Sequence, residues 1–199
     1  KLLATYYSDF DIINVCEKPD FLISNGQTTI GLEHELILDS KSKEKEGFYE
    51  NICEKVEARL KEDSDLPNFL VNLYLKENIS LKIQDKNSIV DKFSEIVKQI
   101  VLTGEMKEND FIERAIKMKH SAKSVTPNFG AYWQKSITES LILEFIAKKE
   151  SKIDSYRQNS VLTQWLVLII GSNGQSSFEV NGLFSVHIQT KFDKVFLYE

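Results

Sequence analysis

Apolar residues recur along the chain in two rhythms, one suited to strands and one to helices. Between Thr28 and Leu38 they alternate: Ile30, Leu32, His34 and Leu36 share one face, and Gly31, Glu33, Glu35 and Ile37 the other. That is the period of a β-strand. The first face is expected to pack inward, which takes His34 to a core or second-layer position and leaves both glutamates on the opposite face. Asn25-Gly26 is a hairpin signal. It joins this strand to a shorter one, Asp20–Ser24, which follows a turn at Pro19, so the two should be antiparallel neighbours.

The second rhythm spaces apolar residues by three or four. Ile52, Val56 and Leu60 predict a helix over Glu50–Lys61, and Ile89, Phe93, Ile96 and Ile100 another over Ser88–Leu102, with Asp85 or Ser88 as its cap. Trp133–Lys152 reads as a long helix. Phe69–Leu75, Gln164–Gly171 and Lys194–Tyr198 read as strands, the middle one buried because Trp165–Ile170 is continuously apolar. Asn109–Lys119 fits either period. Asp39–Gly47, with Lys41, Lys43, Glu44, Lys45 and Glu46, reads as an exposed loop or the start of a helix.

This order predicts an α/β fold, a mixed central β-sheet flanked by helices. The length of 199 residues suits one domain spanning 1–199, with room for a helical insertion around 77–130. Eight Gly and three Pro leave little for a flexible linker. No apolar run approaches the roughly 18 residues that span a bilayer, and no signal peptide is visible. Cys16 and Cys53 form neither a CxxC nor a Cys/His cluster, so ordinary thiols in a reducing, cytoplasmic compartment are expected. The net charge of −5 argues against a positively coated surface, though a local basic groove is enough to neutralise phosphates. Walker A, nucleotide-binding glycine and GxSxG patterns are missing, which removes the commonest nucleotide and hydrolase classes.

Candidate chemistry sits on the first hairpin. Glu33 and Glu35 are two residues apart on one strand face, about 6–7 Å between Cα atoms. Neighbouring anions need a compensator, and a hard divalent cation with oxygen ligands is one. Asp20, across the hairpin from Glu33 or Glu35, supplies a third carboxylate. The plainer alternative is a Pro-Asp turn beside the wet face of an antiparallel sheet.

Glu17-Lys-Pro-Asp-Phe-Leu-Ile23, the hairpin, and Ile30-Gly-Leu-Glu-His-Glu35 together resemble the PD-(D/E)XK, restriction-endonuclease-like nuclease superfamily. In that pattern an Asp after Pro and an acid with a lysine two residues on sit on paired strands. Lys149-Glu-Ser-Lys152-Ile-Asp-Ser-Tyr156, Trp165–Gly171 and Phe192–Leu197 extend the likeness to uncharacterised bacterial members of the superfamily. The resemblance implies Mg²⁺ or Mn²⁺ held by Asp20, Glu33, Glu35 and the backbone carbonyl of His34. It implies phosphodiester hydrolysis with a lysine placing the water. Glu35 departs from the pattern, standing where the lysine belongs. Lys149 and Lys152, three apart on the expected long helix, are candidates to replace it, and Gln134 on the same helix is a candidate polar contact.

Other signals are weaker. Arg114, Lys117, Lys119 and Lys123 form the most basic stretch and are candidate phosphate contacts, with a solvated helix or loop as the bland alternative. His120 lies within that stretch, and His187 has no evident partner. Tyr132, Trp133 and Trp165 are expected in the core rather than stacked on bases. The function these readings imply is a metal-dependent nuclease acting on DNA rather than RNA, in restriction, defence or repair, with a homodimer as its assembly and no membrane partner. The alternative is a catalytically inactive nuclease-fold protein that binds nucleic acid or protein.

Overall fold

Apolar periodicity forms the elements of this computed structural model, which describes residues 2–76, 85–129, 134–157, 161–171, 174–181 and 188–199. In chain order they are α1 (Leu2–Tyr6), β1 (Asp11–Val15), β2 (Phe21–Ser24), β3 (Thr29–Ile37), α2 (Ser40–Lys61), β4 (Phe69–Leu75) and α3 (Lys86–Thr103). There follow β5 (Ile112–Met118), β6 (Lys123–Asn128), β7 (Lys135–Ser136), α4 (Glu139–Glu150), α5 (Ile153–Arg157), β8 (Gln164–Ile170), β9 (Phe178–Glu179) and β10 (Lys194–Tyr198). The architecture is mixed α/β. The chain divides into two compact units, residues 1–40 with 134–199 and residues 41–133. Among the described residues no helix is long and apolar enough to cross a membrane.

The first unit is built on a mixed five-stranded sheet in the order β1-β2-β3-β8-β10. The β2–β3 pair is antiparallel, as the hairpin signal predicts, and Phe21 lies opposite Leu32. Its loop is held by Asn25, whose Oδ1 accepts from the backbone N–H of Gln27 and Thr28 at 3.1 and 2.9 Å. Gly26 turns the chain at φ 84°, a left-handed conformation that costs glycine little. β8 runs parallel to β3, with Glu33, Glu35 and Ile37 opposite Leu166, Leu168 and Ile170.

Both sheet faces are covered. On one, Ile37, Leu166, Leu168 and Ile170 pack against Ile142 and Ile146 of α4 and Ile153 and Tyr156 of α5. On the other, Ile23, Ile30, Leu32, Trp165 and Val167 pack beneath Leu2, Leu3 and Tyr7. Trp165 is buried there, as expected. Each fully buried side chain of this kind contributes roughly 1.5–3 kcal/mol. With β8 buried on both faces, it reads as an unbroken apolar run.

The second unit has a three-stranded sheet in the order β5-β4-β6. Its core joins Ile52, Val56 and Leu60 of α2, Val71 and Leu73 of β4, and Ile89, Phe93 and Val97 of α3. Gly104 ends α3 at φ 78°, its N–H donating to the Ile100 carbonyl at 2.9 Å. Asp85 takes the N-cap position of α3, but its side chain makes no cap hydrogen bond.

Several expectations change. Of the two readings of Asp39–Gly47, the start of a helix holds: α2 begins at Ser40. Within 109–119, Ile112–Met118 forms strand β5, and 77–130 holds α3, β5 and β6 among its described residues. The long helix at 133–152 is shorter. Lys135–Ser136 pairs with β9 instead, and α4 starts at Glu139, where Thr138 Oγ1 accepts from Leu141 N. Tyr132, Trp133 and His187 lie outside the described residues.

Candidate functional site

The β2–β3 register decides what Asp20 meets. Phe21 is opposite Leu32, so one step further along the hairpin brings Asp20 opposite Glu33. The Asp20 backbone N–H donates to Glu33 Oε2 at 3.1 Å. Asp20 Oδ2 accepts from the His34 backbone N–H at 2.9 Å and contacts His34 Nδ1 at 2.6 Å. Two carboxylates and an imidazole are thus joined by the strand ends themselves.

The burial of β3 reverses the expected assignment at its C-terminal half. Ile30 and Leu32 are buried as predicted, but His34 and Leu36 on the same face are exposed, and Glu33 is buried. His34 is therefore a surface partner of Asp20 and not a core histidine. Glu33 lies on the face covered by α4 and α5, where its β8 partner Leu166 joins the apolar core.

A carboxylate sealed from water needs a partner. Lys149, in the last turn of α4, supplies it: its Nζ lies 2.8 Å from Glu33 Oε1 and 3.0 Å from Glu35 Oε2. Lys148 reaches the other oxygen of Glu35 at 2.5 Å. The two lysines differ in setting, the Lys148 side chain being 58% exposed and that of Lys149 only 10%. For Glu35, burial pushes the carboxyl pKa up, but hydrogen bonds from Lys148 and Lys149 outweigh it and the net shift is down. For Lys149, burial lowers the ammonium pKa, yet its bonds to Glu33 and Glu35 leave it raised. Both ions are charged at neutral pH.

Tyr156 of α5 closes the cluster from the core side. Its buried phenol is pushed up first by burial, then by the charge of Glu33 and a hydrogen bond to it, with Asp20 and Glu35 adding smaller effects. Two carboxylates, Glu33 and Glu35, face the two ammoniums, while the Asp20 carboxylate faces His34.

The structure thus joins Asp20, Glu33, Glu35 and Lys149 in one cluster. Lys152 is not part of it. α4 stops at Glu150 and Lys152 is exposed in the following turn, so it shares no helix face with Lys149. Its carbonyl instead accepts from Ser155 and Tyr156 at the start of α5. Gln134 lies before β7, where its Nε2 donates to the Gly174 carbonyl at 3.1 Å. The basic stretch is neither helix nor loop but β5, a turn and β6. There Arg114 stacks 4.0 Å from the Tyr74 ring centroid, and Lys117 Nζ donates to the Val101 carbonyl near the end of α3. Lys123 Nζ donates to the Asp63 carbonyl, and Lys119 is exposed in the turn. His120 Nδ1 lies 3.1 Å from the Ala122 carbonyl in that turn.

Lys148 and Tyr156 were not singled out from sequence. Lys148 adjoins a candidate lysine, and helical spacing alone cannot say that two consecutive side chains converge on one carboxylate. Tyr156 lay within a quoted motif, but its partner is more than 120 positions away. Among the described residues no group of three or more His, Cys, Asp or Glu side chains stands close enough to hold a metal ion. Compared with known proteins, the chain matches no family model, no curated protein and no solved structure.

Proposed function

We propose that this chain is a metal-dependent nuclease of the restriction-endonuclease-like class that hydrolyses phosphodiester bonds in DNA. The observation that carries this reading is the Lys149 ammonium, buried between Glu33 and Glu35 at 2.8 and 3.0 Å. The sequence pattern calls for a lysine two residues after Glu33, and β3 has Glu35 there. A lysine from α4 supplies the missing cation at the same acids.

The donor chemistry of Asp20 and Glu33 fits a hard divalent cation. Both offer carboxylate oxygens with lone pairs beyond those used in hydrogen bonds, and Mg²⁺ commonly takes one or two carboxylates along with waters and substrate phosphate. Asp20 and Glu33 would hold the cation, and the Asp20 backbone N–H on Glu33 Oε2 ties the Glu33 carboxylate to the start of β2. When bound, such a cation supplies Lewis-acid chemistry, acidifying water and offsetting phosphate charge. Glu35, with a lysine on each oxygen, acts as their counter-ion. Lys149 keeps its charge and donates to the attacking water or to the phosphate as negative charge develops. Tyr156 fixes Glu33 from the core side.

A second reading, a nuclease-fold binding module without activity, draws on one observation: no described group of three acids is close enough to chelate a metal. Cleavage of plasmid and single-stranded DNA in Mn²⁺, with Asp20→Ala and Glu33→Ala beside the wild type, separates the two. The nuclease reading expects cleavage by wild type alone. Equal cleavage by all three proteins removes this site, and Mn²⁺ binding in calorimetry without cleavage favours the module.

A further inference from the structure

The geometry points to Lys148 as the residue that meets the phosphate backbone of the substrate, with Glu35 as the carboxylate that holds it in place until then. The inference rests on the nuclease reading above. Lys148 and Lys149 are consecutive in the last turn of α4, and each takes one oxygen of Glu35. Lys149 also bonds Glu33 and its side chain is only 10% exposed, so it stays fixed between the two carboxylates. Lys148 has Glu35 as its described carboxylate partner, and its side chain is 58% exposed.

A nucleic acid approaching Asp20, Glu33 and Glu35 meets acids of its own sign. Of the two lysines, Lys148 is the one whose ammonium can leave its carboxylate and reach out to an approaching phosphodiester. The lysine end of its pair with Glu35 is open to water, which favours exchange of one anionic partner for another. A phosphate contact brings counterion release that the internal pair does not. The Phe145 ring, 5.7 Å from Lys148 Nζ, borders the ammonium and limits where it can swing. The role also accounts for a glutamate at the lysine position of the pattern: Glu35 positions one lysine inward and the other outward.

The test measures binding of fluorescein-labelled duplex DNA across a salt series, together with Mn²⁺-dependent cleavage kinetics, on the full chain. Lys148→Ala is expected to weaken binding about fivefold or more and to reduce the slope of log affinity against log salt by about one. Its KM should rise by more than its kcat falls, and Lys148→Arg should recover most of the affinity. Lys55→Ala, the same charge change at an exposed position of α2, should leave the slope as in wild type. If wild type cleaves but Lys148→Ala binds with unchanged affinity and slope, this role is overturned and the nuclease reading stands. If wild type neither binds nor cleaves DNA, both fall together.

Discussion

The ammonium of Lys149 lies 2.8 Å from Glu33 Oε1, and the two side chains are only 10% and 5% exposed. Removing one partner of a sealed pair strands the other charge, which costs about 3–5 kcal/mol. Exposed pairs contribute about 0–1 kcal/mol. Lys149→Met is therefore expected to destabilise the protein by about 3 kcal/mol or more, and Lys148→Met by less than about 1 kcal/mol, although the residues are adjacent and share Glu35. Urea denaturation with a common slope reads the difference. Equal losses would mean that the inner pair is no more buried in solution than the outer.

In the second unit, Glu57 of α2 ties the helix to β6. Its carboxylate accepts from Ser124 Oγ at 2.9 Å, Val125 N at 3.0 Å and Lys61 Nζ at 2.6 Å. Burial pushes the carboxyl pKa up, but these bonds outweigh it and the net shift is below the ordinary value of 4.5. A folded pKa below the unfolded one gives stability that is present in full above the unfolded value and is lost as pH falls through the folded one. Glu57→Gln is expected to cost about 1–2 kcal/mol at neutral pH. The gap from wild type should narrow as pH drops below 4.5. A gap independent of pH would locate the loss in packing.

Gly31 of β3 lies against Gln164, at the start of β8. A Cβ on Gly31 would stand 2.3 Å from Gln164 Oε1, and Gln164 is fully buried, so its amide has no open space to swing into. Gly31→Ala is expected to destabilise by about 1–3 kcal/mol, the usual cost of overpacking. Because Glu33 is two residues along the same strand, the variant should also lower any DNA cleavage more than an exposed substitution does. Thermal melting beside activity checks both, and a wild-type melting curve would show that Gln164 can move aside.

Much of the site was legible in short-range pattern. The Asn25-Gly26 turn set the β2–β3 pairing and so brought Asp20 to Glu33, and the apolar run Trp165–Ile170 marked the buried strand beside β3. The burial of Glu33 was not legible. Alternation separates two faces but does not say which is covered, and here α4 and α5 cover the acidic one while His34 and Leu36 face solvent. The short span of α4 was also hidden, because the apolar spacing runs through Trp133–Lys152 without a break and only the Thr138 cap and the β7–β9 pairing fix where the helix begins. The strands β1 and β6 were missed: β1 is wholly exposed, and Pro127 breaks the pattern of β6.

The central proposal is that Lys149, bonded to Glu33 and Glu35, acts in phosphodiester cleavage. The most direct measurement is the rate of plasmid nicking in Mn²⁺ by wild type, Glu33→Gln and Lys149→Met, each first shown to be folded by circular dichroism. Nicking by wild type that EDTA abolishes, with both variants slowed about a hundredfold or more as expected for loss of electrostatic stabilisation at the reacting group, is the predicted result. A wild type that leaves the plasmid intact, or variants that nick at its rate, would contradict it.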